Sequence, residues 1–318
     1  MHLLTIKRTG LVGTLLLFLL IGCKKNSTDP VAPAVQGCQL QSDLTTYSDA
    51  TKDGTTYTYN GSRQLISSVN SSSNAAGVAT GESTTNTYTY DAGGNLITAV
   101  TKEASSPTSS TTTTVTYEYS ANRLSKQTTL TGSNVTDLMT YDYNPSGQLT
   151  TYVYTQYFGS RSIITTHNFS NGVLTGATVS GAVPGTITVA NGRITNEVYS
   201  DGSQYRYTYD ANGYNTKVEF FDGSVLQGYA VYEYGTTAYK TATTPLPSNA
   251  PSVNLYGKTD LSLTRSTVYL GNGTINLDVR STYQANSQSY LTNVNNTFNS
   301  PRFGNFTSTK TYKYSNCQ

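Results

Sequence analysis

The side chains able to do covalent or acid–base chemistry in this 318-residue chain are few. There are three cysteines, Cys23, Cys38 and Cys317, and two histidines, His2 and His167. A Ser-His-Asp triad in the body of the chain would have to be built on His167, and a zinc site with two histidines cannot be assembled there. His167 occupies a place that equivalent stretches fill with tyrosine, so it reads as a core or sheet-face histidine. Asp53-Gly54, Asp201-Gly202 and Asp222-Gly223 are what tight turns want. A glycosidase carboxylate pair drawn from distant strands stays open, but nothing marks one. No glycine loop stands between a strand and a helix to cradle phosphate. The expectation is a protein that is not an enzyme, with no cofactor and no metal.

The clearest chemistry is at Cys23. Residues 1–22 carry Lys7 and Arg8, then a mostly apolar run from Leu11 to Ile21, the pattern of a secretion signal. The run is shorter than the roughly 20 residues of a membrane-spanning helix. It ends Leu20-Ile21-Gly22-Cys23, which resembles a bacterial lipobox, where the signal is cut before a cysteine that becomes lipid-modified. An ordinary signal peptide or a short anchor is the alternative. Lipidation at Cys23 predicts a chain held to a membrane without spanning it. Lys24 stands where an aspartate would resemble an inner-membrane retention signal, which points to the outer membrane. Residues 23–37, polar and with Pro30 and Pro33, read as a flexible tether.

With Cys23 taken by lipid, Cys38 and Cys317 remain. An exported chain meets an oxidising compartment, so a Cys38–Cys317 disulfide is expected, with two unpaired buried thiols as the alternative. The bridge would close nearly the whole domain, residues 38–318, and would require the first and last strands to lie side by side. Without Lys7 and Arg8 the chain has 18 basic and 18 acidic residues. With no basic run, nucleic acid is excluded as the expected partner.

These groups are carried by a repeat. Residues 87–97 read T-Y-T-Y-D-A-G-G-N-L-I, and the phrase returns around Tyr57-Thr58-Tyr59, Tyr117-Glu118-Tyr119, Tyr141-Asp142-Tyr143, His167-Asn168-Phe169, Ile187-Thr188-Val189, Tyr207-Thr208-Tyr209 and Tyr232-Glu233-Tyr234, at intervals of 20 to 31 residues. Tyrosine and threonine suit a pleated, half-buried surface, and Asn or Asp with Gly supplies the positive φ of a short turn. Each unit is therefore a β-hairpin. Its alternation predicts Leu96, Thr98 and Val100 on one face, and Tyr214, Thr216, Val218 and Phe220 on one face of a later copy. Glu118, Arg206, Thr208, Lys217 and Glu219 fall on the other. With 27 tyrosines, 8 phenylalanines and no tryptophan, tyrosine does much of the burying, and threonines are the expected partners of its hydroxyls. Residues 71–79 and 104–114 read as long, mobile loops, 241–252 as a linker or crossing loop, and 256–276 as renewed alternation around Gly271-Asn272-Gly273. No helical period follows residue 22. The fold class is all-β: an antiparallel meander of 16–20 strands in one large twisted sheet, curled or barrel-like.

Tyr90-Asp91-Ala92-Gly93-Gly94-Asn95-Leu96 resembles the tyrosine–aspartate (YD) repeat of the RHS-type family, Tyr-Asp-x-x-Gly-x-Leu, with one extra residue. Residues 209–217 also look like it. The degenerate copies together with the lipoprotein leader resemble still more an uncharacterised Bacteroidetes-type lipoprotein domain described as porin-like in fold. The resemblance covers 38–318. The chain is far shorter than the large RHS shells and has no Asp-Pro-x-Gly phrase after its repeats.

Three functions fit this reading. The first is a lipid-anchored, non-enzymatic binding or scaffold module facing the periplasm or the exterior, for glycans or envelope proteins. The others are a membrane-inserted β-barrel and a periplasmic carrier of an amphiphile on the aromatic face.

Overall fold

The computed structural model describes residues 38–106, 109–240, 245, 247, 249–251 and 253–315. Cys23, Cys317, the leader and the tether lie outside them.

Twenty strands follow one another: β1 (Gln39–Tyr47), β2 (Lys52–Tyr59), β3 (Leu65–Ser73), β4 (Ala79–Tyr90), β5 (Leu96–Ser106), β6 (Ser109–Ser120), β7 (Arg123–Thr131), β8 (Asn134–Tyr143), β9 (Leu149–Phe158) and β10 (Arg161–Ser170). Then come β11 (Val173–Gly181), β12 (Gly185–Ala190), β13 (Arg193–Tyr199), β14 (Ser203–Tyr209), β15 (Asn215–Asp222), β16 (Val225–Tyr234), β17 (Leu263–Leu270), β18 (Ile275–Ala285), β19 (Leu291–Ser300) and β20 (Gly304–Ser315). Each pairs antiparallel with its successor, and β20 pairs with β1 from Gln39–Ser315 to Tyr47–Ser308. The sheet is thus a closed barrel, which removes every free edge. Its first and last strands do lie side by side. Of the runs expected as loops, 74–78 is indeed the β3–β4 turn, while 71–73 and Ala79 join the β3–β4 ladder and 104–106 and 109–114 extend that of β5–β6, where the β-branched threonines at 111–114 suit a strand.

One wall face carries the Tyr-x-Tyr residues and the other the residue between them. After each repeat turn the ladder slips by one residue. Tyr90 opposes Leu96, but Thr89 opposes Thr98, leaving Ile97 as a bulge. The same slip places Asn215 opposite Tyr209 and Lys217 opposite Thr208. A bulge reverses which face the following residues occupy. This corrects the expected faces: Leu96 lies with the tyrosines while Thr98 and Val100 point the other way. Val218 and Phe220 stay on the tyrosine face. Thr216 is a bulge residue and Tyr214 belongs to the turn. The bulge residue is a serine or threonine in many copies, and its hydroxyl donates to the carbonyl opposite, as Thr150 to Asp142 at 3.1 Å and Thr175 to Asn168 at 3.0 Å.

The residue just after each repeat turn is the centre of its core: Leu40, Leu96 and Ile194 are fully buried and Leu124 nearly so. The second tyrosine of the following unit closes over it, its hydroxyl donating to that residue's carbonyl. Tyr59 bonds Leu40 (2.9 Å), Tyr90 Leu65 (2.7 Å), Tyr119 Leu96 (2.7 Å), Tyr143 Leu124 (2.8 Å), Tyr209 Ile194 (2.5 Å) and Tyr234 Asn215 (2.9 Å). Backbone oxygens and carboxylates, not threonines, therefore satisfy most of these tyrosines. Each of these six bonds ties a hairpin to the one before it.

The β16–β17 connection crosses the barrel. Lys240 N–H donates to Ser289 O in the β18–β19 turn (2.8 Å), and Asn249 Nδ2 donates to Asn122 O in the β6–β7 turn (2.8 Å). Around the ring those turns are separated by β19, β20 and β1 to β6, about 38 Å of rim at a strand spacing of ~4.8 Å, so the connection reaches from one side of the mouth to the other. It then packs Leu255 and Tyr256 on the tyrosine face, so that face lines the interior.

Candidate functional site

Beneath the crossing connection lies a buried carboxylate. Glu197 of β13 is 5% exposed and opposes Tyr205 of β14 and Ile187 of β12. Its Oε1 accepts from Tyr256 Oη (2.6 Å) and its Oε2 from Tyr199 Oη (2.9 Å), and Tyr207 also bonds it. Burial raises the Glu197 carboxyl above its ordinary range, against the opposing effect of the three phenols. Burial likewise drives the Tyr207 and Tyr256 hydroxyls well up. The Tyr256 ring rests on Tyr207, centroids 5.0 Å apart. Ile194 N–H donates to Leu255 O (2.9 Å) and Lys258 N–H to Gly213 O (2.9 Å), fixing the connection on both sides of Tyr256. Gly257 allows this approach: its φ is +96°, and a Cβ there would lie 2.7 Å from Gly213 O.

This cluster binds protein to protein. Both oxygens of Glu197 accept from phenols of the same chain. The sequence reading did not single out Glu197. The signal was present in Ile187-Thr188-Val189 and Tyr207-Thr208-Tyr209, whose neighbouring strand must turn Glu197 towards them.

His167 is placed as read, on the inner face in a tyrosine position. It is 3% exposed and stacks on Tyr152, which stacks on Tyr141, with both centroid distances 5.2 Å. Burial pulls its pKa down to about 4, so the ring is neutral. Among the described residues no group of three or more His, Cys, Asp or Glu side chains is placed to hold a metal.

Cys38 lies at the barrel's closing seam, just before the Gln39–Ser315 pair, with its Sγ 3.2 Å from Gln288 Oε1. The ladder thus brings Cys38 to the strand that leads into Cys317. At the same seam Asp43, 4% exposed, accepts from Tyr57 Oη (2.6 Å) and pairs with Lys310 Nζ (3.0 Å). The outer face holds ion pairs of its own: Lys126–Glu118 (2.8 Å), Lys217–Glu219 (2.7 Å) and Asp278 between Arg265 (2.7 Å) and Arg280 (3.0 Å). Hydrogen bonds from both arginines and Thr267 outweigh the effect of burial and hold the Asp278 carboxyl down at about 2.

The sequence matches no family model, the tyrosine–aspartate repeat's included, and no curated protein. Among solved structures the chain is similar to a porin-like protein from Bacteroides uniformis, at 13% identity and a TM-score of 0.40 over 87% of this chain and 96% of that one. It is also similar to a porin-like protein from Bacteroides vulgatus, at 8% identity and a TM-score of 0.36 over 87% and 98%. A third likeness is to TcdB2-TccC3, at 15% identity and a TM-score of 0.32 over 79% of this chain and 14% of that one. The barrel described above rests on its own strand ladders, and likenesses of this size carry no argument about what the chain does.

Proposed function

We propose that this chain is a non-enzymatic barrel of the outer membrane, held there by a lipid on Cys23 and acting as a binding or scaffold module for glycans or envelope proteins. The observation that carries this reading is the outer wall. A membrane-inserted barrel presents an apolar band about 25 Å tall to lipid. Here the outward positions of neighbouring strands are mostly threonines and charged residues, such as Thr87, Thr89 and Thr98, then Glu118 with Lys126 and Arg206 beside Glu219, interrupted by Val100, Leu138, Val153, Ile164 and Val231. Such a wall suits water, with the lipid doing the anchoring. The crossing connection also obstructs one mouth, which does not suit a through-channel.

The inserted β-barrel is the second reading, and sheet closure favours it. Twenty antiparallel strands of six to twelve residues without an edge meet the bilayer's demand that every backbone group be satisfied within the chain. An amphiphile carrier ranks below both, because the inner tyrosines spend their hydroxyls on backbone oxygens and carboxylates and many of their ring faces on one another.

Partition of a Cys23→Ala variant separates the two. A barrel held only by lipid moves into buffer without detergent, whereas an inserted one stays with the membrane. A glycan panel on the purified domain tests the ligand class. The Cys38–Cys317 disulfide belongs to the same proposal: labelling of the non-reduced protein should find no free thiol.

A further inference from the structure

The two ends of the barrel differ. At the repeat-turn end the tips are Asn60, Asp91, Asn144, Asn191, Asp210 and Asn286, with Val173 the apolar exception. The other end, formed by the turns from each odd to the next even strand, carries large apolar side chains in solvent. Val78 is 61% exposed, Val225 60%, Phe158 and Phe303 53%, Leu270 45% and Val135 42%, drawn from six different hairpins, and Ile275 (39%) stands beside Leu270 in one of them. We infer that this end rests on a phospholipid bilayer, with the six tips dipping into its interfacial layer.

Three features select lipid as the occupant. Apart from Leu270 and Ile275, which flank one turn, the tips stand on separate hairpins. Scattered points do not make the contiguous buried core of a protein interface, but separate apolar tips can enter a fluid layer independently of one another. The rim's charges are mixed, with Lys52, Arg161 and Arg302 among Asp49, Asp201 and Asp222, so apolar contact rather than attraction to anionic lipid would hold it. The chain outside the structure also allows this placement. Cys38 opens β1 at the repeat-turn end, and the fifteen residues from Cys23 can span up to about 50 Å, more than a tilted wall of ~20–30 Å. The contact would be the second of the two signals that stable anchoring needs, and in that respect it rests on the lipid-anchor reading.

The absence of tryptophan makes the test direct. In the leaderless chain carrying Cys23→Ala, single reporters Phe158→Trp, Phe303→Trp, Val173→Trp (opposite end) and Val100→Trp (mid-wall) are mixed with neutral phosphatidylcholine vesicles brominated in the acyl chains. Phe158→Trp and Phe303→Trp should shift to the blue and be quenched, independently of salt, while the other two stay unchanged. A Phe158→Asp/Phe303→Asp variant should float with vesicles at least tenfold less. Silence at positions 158 and 303 overturns the inference. So does a blue shift that grows with protein concentration in the absence of vesicles, which would mark self-association. Quenching at Val100→Trp as well would show an inserted barrel and overturn the lipid-anchor reading with it. If the reporters are silent but lipidated wild-type chain remains on membranes, only this inference falls.

Discussion

The Tyr90 hydroxyl donates to the Leu65 carbonyl at 2.7 Å, reaching from the end of one hairpin to the buried core residue of the hairpin before it. This bond recurs around the barrel and explains why the repeat keeps tyrosine, with its hydroxyl, at the second aromatic position. Where the second aromatic is Phe169 there is no hydroxyl to make it. Tyr314, at the closing seam, has a buried hydroxyl without a partner among the described residues.

Tyr90→Phe and Tyr314→Phe should consequently differ in sign. Loss of the Tyr90 bond strands a carbonyl and should cost about 1–2 kcal/mol in urea unfolding. Tyr314→Phe removes an unpaired polar atom and should be neutral or stabilising. Equal losses would show that the bond is not what the hydroxyl contributes.

The residue after the turn should be the most sensitive position in each unit. Leu96→Ala, at a fully buried site, should cost about 2–5 kcal/mol. Asn215 occupies the same place in its own unit, 1% exposed, with neither side-chain polar atom bonded among the described residues. Asn215→Leu should raise the unfolding midpoint, since it ends the burial of an unsatisfied amide.

His167 and Glu197 should give stability opposite slopes with pH. The folded pKa of His167 is lowered from 6.5 to about 4. Its contribution is complete above pH 6.5 and is lost as pH falls towards 4, because the unfolded chain binds the proton first. The folded pKa of Glu197 is raised, so stability falls as pH climbs from about 4.5, the ordinary glutamate value, until the folded carboxyl ionises. His167→Phe should flatten the first slope and Glu197→Gln the second in urea titrations across pH 4–8. An unchanged profile in either variant would remove that residue from the account.

Gly257→Ala should loosen the crossing connection while leaving the ladders intact. A methyl group there meets the Gly213 carbonyl and the Tyr209 ring at a φ of +96°. Hydrogen exchange should speed up at the Ile194 and Lys258 amides, which bond across this contact, and stay unchanged in β4 and β5.

Reduction should lower the unfolding midpoint of wild type, and Cys38→Ser should abolish that response. In the chain-entropy model a bridge closing so long a loop is worth several kcal/mol.

Much of the fold was legible because its signals are local. Tyr-x-Tyr alternation and Asn- or Asp-Gly turns specify hairpins, twenty strands fall within the predicted 16–20, and consecutive hairpins pair by default. The position of His167 was legible for the same reason. The faces after each turn were misread because a bulge is a decision of two strands: nothing in Leu96-Ile97-Thr98 alone says that Ile97 will be skipped. The Ser and Thr run at 104–114 was misread, and the ends of 71–79 with it, because low complexity does not reveal whether a neighbour exists to pair with. Three features belong to tertiary structure alone. The sheet closes through Gln39–Ser315, Glu197 is buried beneath Tyr256, and apolar tips gather at one end. Each depends on residues brought together from distant parts of the chain, where the sequence carries the side chains and only the closed ring fixes their distances.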